Sequence, residues 1–317
     1  MFKILKDKTL PTDVFDEPMA ISINNARLRH LASLNLDLEN KTVIDIGSGV
    51  GHLAQFFVKN NCKVFCIDGR KDNISSLRLR YPNLKSRVVD VEKEDLSKYG
   101  TFDIVFCYGL LYHTKKPEFV LKNINKVCRD LLLLETCIMD SPDYDVKFIE
   151  DTPAVNQALH QSGSRPTPKF VISNLRGNDF SNVYIPRKIP KHPDFEFKYM
   201  GDGSIERDEH LIRQVFIASR SQLANHNLIS VSDGSELYQK DFLSKLPLHA
   251  IKILAEFIYK PREIGPLLRW QVGFTEGSLT SYRNFLKKLW ELLLLKSNKP
   301  VKLTVTWYNN IKLAVFL

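Results

Sequence analysis

The sequence predicts an α/β fold built on a doubly wound, mostly parallel β-sheet. Short apolar segments rich in β-branched residues alternate with segments whose apolar residues recur at helical spacing, and a glycine-rich turn follows the first strand-like segment. Such alternation forms βαβ units, whose right-handed crossovers place helices on both faces of a sheet. Of the 317 residues, 44% are hydrophobic and 26% charged, a composition that supports a substantial core.

The first part of the chain predicts five parallel strands with their helices. A helix over about 21–38 leads into the core, because its apolar residues recur every three or four positions. The predicted strands cover 42–46, 63–67, 86–89, 102–107 and 131–134. Helices are predicted between them over 53–60, from the end of the second strand to about 80, and over 119–129.

Two later strands, over 183–185 and 214–218, are expected to pair antiparallel at the sheet edge. They complete a seven-stranded, Rossmann-like sheet with an antiparallel edge hairpin. The stretch 140–167 is rich in Pro, Ser and Asp and therefore predicts a loop with one helix near 154–160. A helix over 168–175 follows it.

We expect three regions along the chain: an N-terminal helical lead-in (1–40), a central α/β domain (41–237) and a mainly helical C-terminal extension (238–317). The central domain carries substrate or lid insertions at about 140–168 and 186–212. In the extension, helical patterns over 242–259 and 279–295 precede a strand over 301–307.

The C-terminal extension is basic. From Asp241 onward 12 Lys and Arg stand against five acids, which accounts for +7 of the net charge of +9. Such a bias favours an anionic partner such as nucleic acid, a phosphorylated substrate or a membrane face. A solvated basic face gives the same count, so the charge alone does not choose among these partners.

Several function classes have no support in the sequence. The first residues lack the apolar core and cleavage site of a signal peptide, and no stretch approaches the roughly 18 apolar residues that span a bilayer. The five cysteines are odd in number, lie in or near apolar strand-like segments and lack zinc-site spacing. We therefore expect reduced thiols, no bound metal and a cytoplasmic protein without a transmembrane segment.

The strongest functional signal is the run Val-Ile-Asp-Ile-Gly-Ser-Gly-Val-Gly at 43–51. A buried strand delivers Asp45 to its end, and three glycines then allow a tight turn that a ligand approaches closely, at the positive end of the next helix. A dinucleotide fingerprint, G-x-G-x-x-G, would require glycine at His52. The pattern D-x-G-x-G-x-G suits a cofactor with a positive amino group near Asp45 and no pyrophosphate, which favours S-adenosyl-L-methionine (SAM) over NAD.

Further cofactor residues are predicted at the carboxyl ends of successive strands, where open α/β sheets bind ligands. Asp68 ends the second strand and suits both hydroxyls of a ribose. Asp90, after the third strand, suits the exocyclic amine of adenine, and Val91 offers the ring an apolar edge. The fourth strand end faces the methionine part. The predicted cofactor residues are Asp45, Gly47, Ser48, Gly49, Gly51, Asp68, Gly69, Asp90, Val91, Tyr108 and Gly109.

On these motifs, residues of about 25–135 resemble the class I SAM-dependent methyltransferase superfamily. The run 109–117, with Leu-Tyr-His at 111–113, resembles a segment of bacterial wobble-uridine tRNA carboxymethyltransferases and of related methyltransferases whose setting suggests sugar or natural-product modification. The segments 164–168 and 214–220 are similar to that second branch. The resemblance implies an enzyme that transfers a methyl group from SAM.

Four residues are candidates for chemistry on the acceptor. His113 should border the transferred methyl group, as a base that takes a hydroxyl proton or as an orienting group; the alternative is a cap on the helix near Pro117. Tyr112 is a second catalytic candidate or a pocket wall. Glu135 is a candidate substrate contact, or else a helix cap or a loop salt bridge. Arg165 is a candidate contact for an anionic substrate, or else an arginine that is solvated or paired on the surface.

Three functions remain open on the sequence. The preferred one is methyl transfer to a hydroxyl of a small molecule, such as a sugar or secondary metabolite, under a lid formed by the Pro-rich insertion. A tRNA-modifying methyl- or carboxymethyltransferase is the first alternative, suggested by Leu-Tyr-His and the basic extension, although no RNA-binding module is recognisable. A non-catalytic SAM-binding scaffold is the second, and the complete cofactor motif argues against it. The sequence does not indicate an oligomeric state.

Overall fold

The computed structural model describes residues 12–150, 158–238, 302–306 and 312–316. A short 3₁₀ turn, Asp13–Asp16, precedes the first helix. The helices are α1 (Pro18–Ser33), α2 (Ala54–Lys59), α3 (Lys71–Arg80), α4 (Pro117–Val127) and α5 (Pro168–Gly177). The strands of the first half are β1 (Thr42–Ile46), β2 (Lys63–Asp68), β3 (Lys85–Val88), β4 (Phe102–Tyr108), β5 (Cys128–Cys137), β6 (Val146–Glu150) and β7 (Ser162–Pro166). Those that follow are β8 (Asn182–Pro186), β9 (Glu206–Arg207), β10 (His210–Leu211), β11 (Arg213–Ser219) and β12 (Leu228–Ser230).

The central sheet has eight strands in the order β12-β8-β11-β5-β4-β1-β2-β3. The five strands β1 to β5 pair in parallel, whereas β11 pairs antiparallel with both β5 and β8. The chain runs from β1 outward through β2 to β3 on one side and then returns to β4 and β5 on the other side of β1. The strand order therefore reverses between β1 and β4. In open α/β sheets ligands bind outside the carboxyl ends of the strands at such a point.

Burial on both faces explains the sequence of the central strands. The last five residues of β4 and all seven of β11 are buried, and such strands read as near-continuous apolar runs. Helix α4 covers one face with Val120, Leu121 and Ile124, all fully buried. It begins with Pro117 at its first turn, where the missing N–H removes no hydrogen bond.

The structure confirms the predicted fold class and corrects it in detail. The sheet has eight strands instead of seven, because β12 pairs antiparallel with β8 beyond the predicted edge pair. Within 140–167, predicted as a loop, β6 and β7 form an antiparallel hairpin. The Ser-Gly-Ser-Arg-Pro segment of β7 lacks β-branched residues, so only its cross-strand pairing makes it a strand. Of the helix predicted near 154–160, residues 151–157 are outside the described range, and 158–160 are not helical.

By their contacts the residues group into two units, 1–240 and 241–317. In the second unit the structure describes an antiparallel pair, β13 (Lys302–Thr306) with β14 (Lys312–Phe316). The strand predicted over 301–307 corresponds to β13. The predicted helices over 242–259 and 279–295 lie outside the described residues, and the predicted domain boundaries stay predictions.

No helix in the described part of the chain is both long and apolar enough to cross a membrane. No group of three or more His, Cys, Asp or Glu side chains in those same residues is arranged to hold a metal ion. All five cysteines are unpaired thiols, and burial raises the pKa of Cys137 to about 11.

Candidate cofactor and acceptor site

The glycine-rich turn after β1 is packed from two sides. Gly47 and Gly49 have φ values of 79° and 53°, in the left-handed region that favours glycine. A Cβ at Gly47 would lie 2.7 Å from Cβ of Leu110, and one at Gly49 would lie 2.8 Å from the ring of Phe15. Leu110, in the loop after β4, and Phe15, in the turn before α1, therefore occupy the space that side chains at Gly47 and Gly49 would fill. No pattern in the sequence pointed to Phe15.

Asp45 supplies a buried carboxylate beneath this turn. Only 2% of the residue is exposed, and its Oδ2 has no hydrogen-bond partner among the described residues. The hydroxyl of Ser48 is likewise buried and without a partner there. Burial, with a smaller contribution from the negative charge of Asp68, raises the pKa of the Asp45 carboxyl to about 8. A buried polar group without a partner is costly, so these two groups fit a ligand that brings a positive charge and hydrogen-bonding groups.

Asp68 joins the glycine-rich turn to the start of α3. Its Oδ2 accepts a hydrogen bond from N–H of Gly49 at 2.9 Å, and its Oδ1 accepts from N–H of Arg70 at 2.8 Å and from the Asn73 amide at 3.1 Å. Burial raises the pKa of this carboxyl, while the three donors oppose the rise. Asp68 thus lies where it was expected, at the end of β2, and already helps to hold the turn in shape.

Asp90 lies two residues past β3 and carries partners that the sequence did not reveal. Its Oδ1 accepts a hydrogen bond from N–H of Glu92 at 3.1 Å. Its Oδ2 lies 3.0 Å from Nε2 of His160 and 3.2 Å from Nζ of Lys93. The neighbouring Val91 is buried, with 7% of the residue exposed. The turn that contains His160 therefore lies against the expected adenine position.

The end of β4 leads into a 3₁₀ turn, Leu111–His113, that carries the expected acceptor residues. Tyr108 is buried, its hydroxyl has no partner among the described residues, and burial raises its pKa. The rings of Tyr112 and His113 are 4.1 Å apart. The backbone N–H groups of Lys115 and Lys116, just before α4, both donate hydrogen bonds to the carboxylate of Glu92. Glu92 therefore accepts hydrogen bonds at the start of α4, the helix that His113 was a candidate to cap.

Glu135, at the end of β5, is fully buried between two arginines. Nη2 of Arg27 donates to its Oε2 at 2.6 Å, and Nη1 of Arg213 donates to its Oε1 at 3.3 Å. Nε of Arg213 also donates to Asp194 at 2.7 Å. Glu135 therefore makes the salt bridge offered as its alternative role, and its contact with a substrate stays a prediction.

Arg165 is a buried cation that, like Arg213, lies against the Tyr112 ring. It lies on β7, only 5% exposed, so the alternative of a solvated surface arginine is wrong. Its Nη1 donates to the carbonyls of Ser164 and Tyr112, and no carboxylate of the described residues lies within 4 Å of it. Its guanidinium carbon lies 5.3 Å from the centre of the Tyr112 ring, and that of Arg213 lies 4.8 Å from it.

The long insertion between β8 and β11 closes one side of this arginine cluster, which we define as Arg27, Arg165 and Arg213. A 3₁₀ turn, Pro193–Phe195, brings Asp194 to Arg213 and buries Phe195. Asp140, just after β5, holds a later part of the insertion. Its buried carboxylate accepts hydrogen bonds from N–H of Met200 at 2.9 Å and N–H of Gly201 at 3.2 Å, and it pairs with Arg207. These contacts fix the insertion beside the carboxyl end of β5.

Sequence patterns missed five residues that complete the site. Arg27 lies on α1 among residues that were assigned to the core, and a Cβ at Gly109 would lie 3.2 Å from its Nη2. The other four come from distant parts of the chain; they are Phe15, His160, Asp194 and Arg213. An arginine inside a helical stripe of apolar residues was the one signal that could have been used, because such a charge requires a buried partner.

A separate surface cavity of about 590 Å³ opens at the amino ends of the parallel strands. The first residues of four parallel strands line it; they are Thr42, Lys63, Lys85 and Phe102. Ligands of open α/β sheets bind at the carboxyl ends of the strands. We therefore assign the site to the crevice that contains Asp45, Asp68 and Asp90.

The chain is similar to known proteins over the part that carries these residues. The family "Methyltransferase domain" matches residues 44–130, which run from the middle of β1 to the first residues of β5. A tRNA U34 carboxymethyltransferase of Actinobacillus succinogenes is 29% identical over 163 residues, which are 49% of this chain and 49% of the relative. A ubiquinone biosynthesis O-methyltransferase of Acinetobacter baylyi is 29% identical over 105 residues, which are 32% of this chain and 44% of the relative. The chain thus spans about half the length of the curated relatives it matches.

A solved structure was also matched. The N-terminal domain of EvdMO1, crystallised in the presence of SAH and D-fucose, aligns with a TM-score of 0.49 and 18% sequence identity. The alignment covers 62% of this chain and 82% of that one.

Proposed function

We propose that residues 44–130 form a methyltransferase domain of the class I SAM-dependent superfamily and that the protein methylates a hydroxyl of a small molecule. SAM is the methyl donor of that superfamily. The observation that carries the proposal is a pair of buried groups that have no partner among the described residues, Oδ2 of Asp45 on β1 and the hydroxyl of Ser48 in the turn after it. They fit the amino acid part of SAM, which offers an ammonium and a carboxylate.

The other cofactor contacts follow the strand ends. Asp68 accepts three hydrogen bonds, and a carboxylate offers about four acceptor positions, so one position, on Oδ2, stays available to a ribose hydroxyl. Asp90 accepts a hydrogen bond from the exocyclic amine of the adenine, and the apolar side chain of Val91 packs against the ring. Tyr108 and Gly109 face the methionine part. When bound, SAM would supply an electrophilic methyl group on its sulfonium, and the sulfur would leave as a neutral thioether when the acceptor oxygen attacks in line.

The residues of this chain orient the acceptor and accept its proton. His113 takes the hydroxyl proton as the nucleophile attacks, because imidazole changes charge near neutral pH. Tyr112 forms the wall against which the acceptor lies and packs against the His113 ring. Glu135 and Arg165 stand behind that wall and keep its shape, and Arg165 is also available to an anionic group of the acceptor. The gain in rate comes from alignment and from the exclusion of water.

The enclosure of the acceptor side favours a small molecule. Tyr112 and Arg165 are both buried, and the insertion that carries Asp194 lies beside them. A nucleic acid is bound along exposed basic surfaces that contact its phosphates, which a buried arginine does not offer. An acceptor side bordered by these buried side chains and by the insertion suits an acceptor that is enclosed together with its methyl donor.

A tRNA acceptor is the second candidate. It is favoured by the similarity to tRNA U34 carboxymethyltransferases over 49% of the chain and by the net charge of +7 after residue 240. Binding of tRNA through that region should weaken steeply as salt rises, because counterions are released from the phosphates.

A single assay separates the two acceptors. The purified full chain is incubated with methyl-labelled SAM, a metabolite fraction below 1 kDa and, in parallel, unmodified tRNA. Label in the small-molecule fraction supports the proposal, and label confined to tRNA replaces it with the second candidate. SAM binding without transfer to either fraction would support the non-catalytic scaffold.

Two variants make the assay specific. Asp68→Ala should lose both SAM binding and transfer. His113→Ala should bind SAM as the unaltered protein does and lose transfer by about 10²- to 10⁴-fold, the usual contribution of general base catalysis. Full transfer by His113→Ala would show that the proton goes elsewhere.

A further inference from the structure

The residue after Asp68 has no side chain, and its surroundings explain why. The backbone of Gly69 lies outside the left-handed region, so its conformation is open to other residues. A Cβ there would nevertheless lie 2.8 Å from Cδ2 of Leu159 and 3.6 Å from its Cγ. The first contact is shorter than real Cβ atoms allow. Leu159 thus occupies the space that a side chain at position 69 would fill.

Leu159 reaches this place from a turn 90 residues further along the chain. The turn is closed by a hydrogen bond from N–H of Gln161 to the carbonyl of Ala158 at 3.3 Å. Although one methyl group of Leu159 packs on Gly69, 42% of the residue is exposed. A large apolar side chain therefore stands at the rim of the crevice, next to the expected ribose ligand.

The next residue ties the turn to the end of β3. Nε2 of His160 lies 3.0 Å from Oδ2 of Asp90 and 3.8 Å from Oε2 of Glu92. Lys93 shares the same oxygen of Asp90 at 3.2 Å. The turn thus spans the ends of β2 and β3, the two strand ends between which the adenine is expected.

An adenine ring presents two apolar faces, and burial of both is favourable. Val91, after β3, is positioned for one face, and Gly69, after β2, offers no side chain for the other. We propose that Leu159 forms this second wall of the adenine pocket, in place of the side chain that position 69 lacks, and that His160 holds it there through Asp90. The inference rests on the proposed SAM cofactor. It adds two residues outside residues 44–130 to that site.

The test moves the apolar group from one segment to the other. SAM binding is measured by calorimetry on the full chain with Leu159→Ala, with Gly69→Leu/Leu159→Ala and with the control Leu79→Ala, whose leucine is 85% exposed on α3. Leu159→Ala should weaken binding about ten- to fiftyfold, because one face of the adenine would then stay exposed to water. The double variant should regain most of that affinity, and the control should bind as the unaltered protein does.

A second ligand locates the wall on the adenine side. 5′-Methylthioadenosine, which contains the adenine and ribose but no amino acid part, should bind more weakly to Leu159→Ala by the same factor. Unchanged SAM binding in Leu159→Ala, or weaker binding for SAM alone, would overturn the wall. Absence of SAM binding by the unaltered folded protein would overturn the cofactor itself, which is a different result. Because Leu159 lies on an exposed turn, we expect thermal unfolding of its variant to be unchanged.

Discussion

Nη2 of Arg27 donates a hydrogen bond to Oε2 of Glu135 at 2.6 Å, although 108 positions separate the two residues. This contact ties α1 to the end of β5, and Arg213 continues it to Asp194 in the insertion. Three segments of the chain therefore meet on one fully buried carboxylate. Removal of one member of such a group leaves charges in the interior without compensation.

Glu135→Gln should destabilise the protein strongly. The amide keeps the volume but removes the negative charge between two buried arginines, at an expected cost of about 3–5 kcal/mol in the free energy of unfolding. Urea unfolding followed by circular dichroism measures it. The control is Glu39→Gln at an exposed glutamate, which should change the free energy of unfolding by less than about 0.5 kcal/mol. A similar small change in Glu135→Gln would contradict a structural role for the cluster.

Asp45 should make the stability of the protein without cofactor depend on pH. Its carboxyl has a pKa of about 8 in the folded protein and an ordinary value when unfolded, so between about pH 4 and 8 the folded state binds more protons. The Asp45 contribution to stability therefore falls as pH rises through this window, by at most about 1.4 kcal/mol per unit. Asp45→Asn should lose this dependence and gain stability relative to the unaltered protein on going from pH 5 to pH 8.

The control for this variant is Asp208→Asn, at an exposed aspartate. Its stability should follow that of the unaltered protein across the same pH range. Parallel pH profiles for all three proteins would show that the Asp45 carboxyl does not titrate in this window.

SAM affinity should also depend on pH, with a maximum near pH 8. Below about pH 8 the Asp45 carboxyl is protonated in the free protein, so pairing with an ammonium releases a proton. Above about pH 8 a free α-amino group itself loses its charge. Calorimetry in two buffers of different ionisation enthalpy measures the proton released at pH 6.5. Asp45→Asn should bind weakly and without proton release; release from that variant would assign the proton to another group.

Gly49→Ala should weaken SAM binding more than Gly100→Ala. Both glycines have positive φ, 53° and 87°, but a Cβ at Gly49 would lie 2.8 Å from the Phe15 ring, whereas one at Gly100 would lie within 4 Å of no atom of the described residues. Gly100 has a ψ of −163°, a conformation nearly exclusive to glycine, so its alanine variant costs about 1–3 kcal/mol in backbone strain alone. Gly100→Ala should therefore lower the unfolding temperature with SAM binding retained. Gly49→Ala should weaken SAM binding, and equal SAM affinity in the two variants would contradict the role of Phe15.

Arg165 should act through the turn that carries Tyr112 and His113. Arg165→Met keeps the apolar stem but removes the hydrogen bonds to two carbonyls, at an expected cost of about 1–3 kcal/mol in stability. The rate of methyl transfer should fall while SAM affinity stays unchanged. The control is Arg187→Met, at an exposed arginine that donates to the carbonyl of His226. Weaker SAM binding in Arg165→Met would place Arg165 on the cofactor side.

Local signals in the sequence were sufficient for the cofactor half of the site. Asp45, Asp68 and Asp90 were expected at successive strand ends, and they lie at or just beyond the ends of β1, β2 and β3. A strand can be recognised from its apolar run and its glycine-rich end. Parallel pairing then brings the carboxyl ends of the strands to the same end of the sheet, independently of the later parts of the chain.

The acceptor half could not be predicted in the same way, because its contacts join distant segments. Glu135 could be placed at the end of β5, but its partners Arg27 and Arg213 come from a helix far before it and a strand far after it. The hairpin of β6 and β7, which carries Arg165, was expected as a loop. Neither its pairing nor the burial of its arginine leaves a periodic pattern in the sequence.

By itself the sequence determined the parallel sheet and the carboxylates at the ends of its strands, where the proposed ligand crevice lies, since strand periodicity and glycine-rich turns are local properties. Only the tertiary structure decided which residues surround those carboxylates: Phe15 on the glycine-rich turn, Leu159 and His160 beside Gly69 and Asp90, and two arginines on Glu135. The physical reason is that a buried charge or an absent Cβ requires a partner nearby in space. The chain supplies that partner from whichever segment the fold brings there.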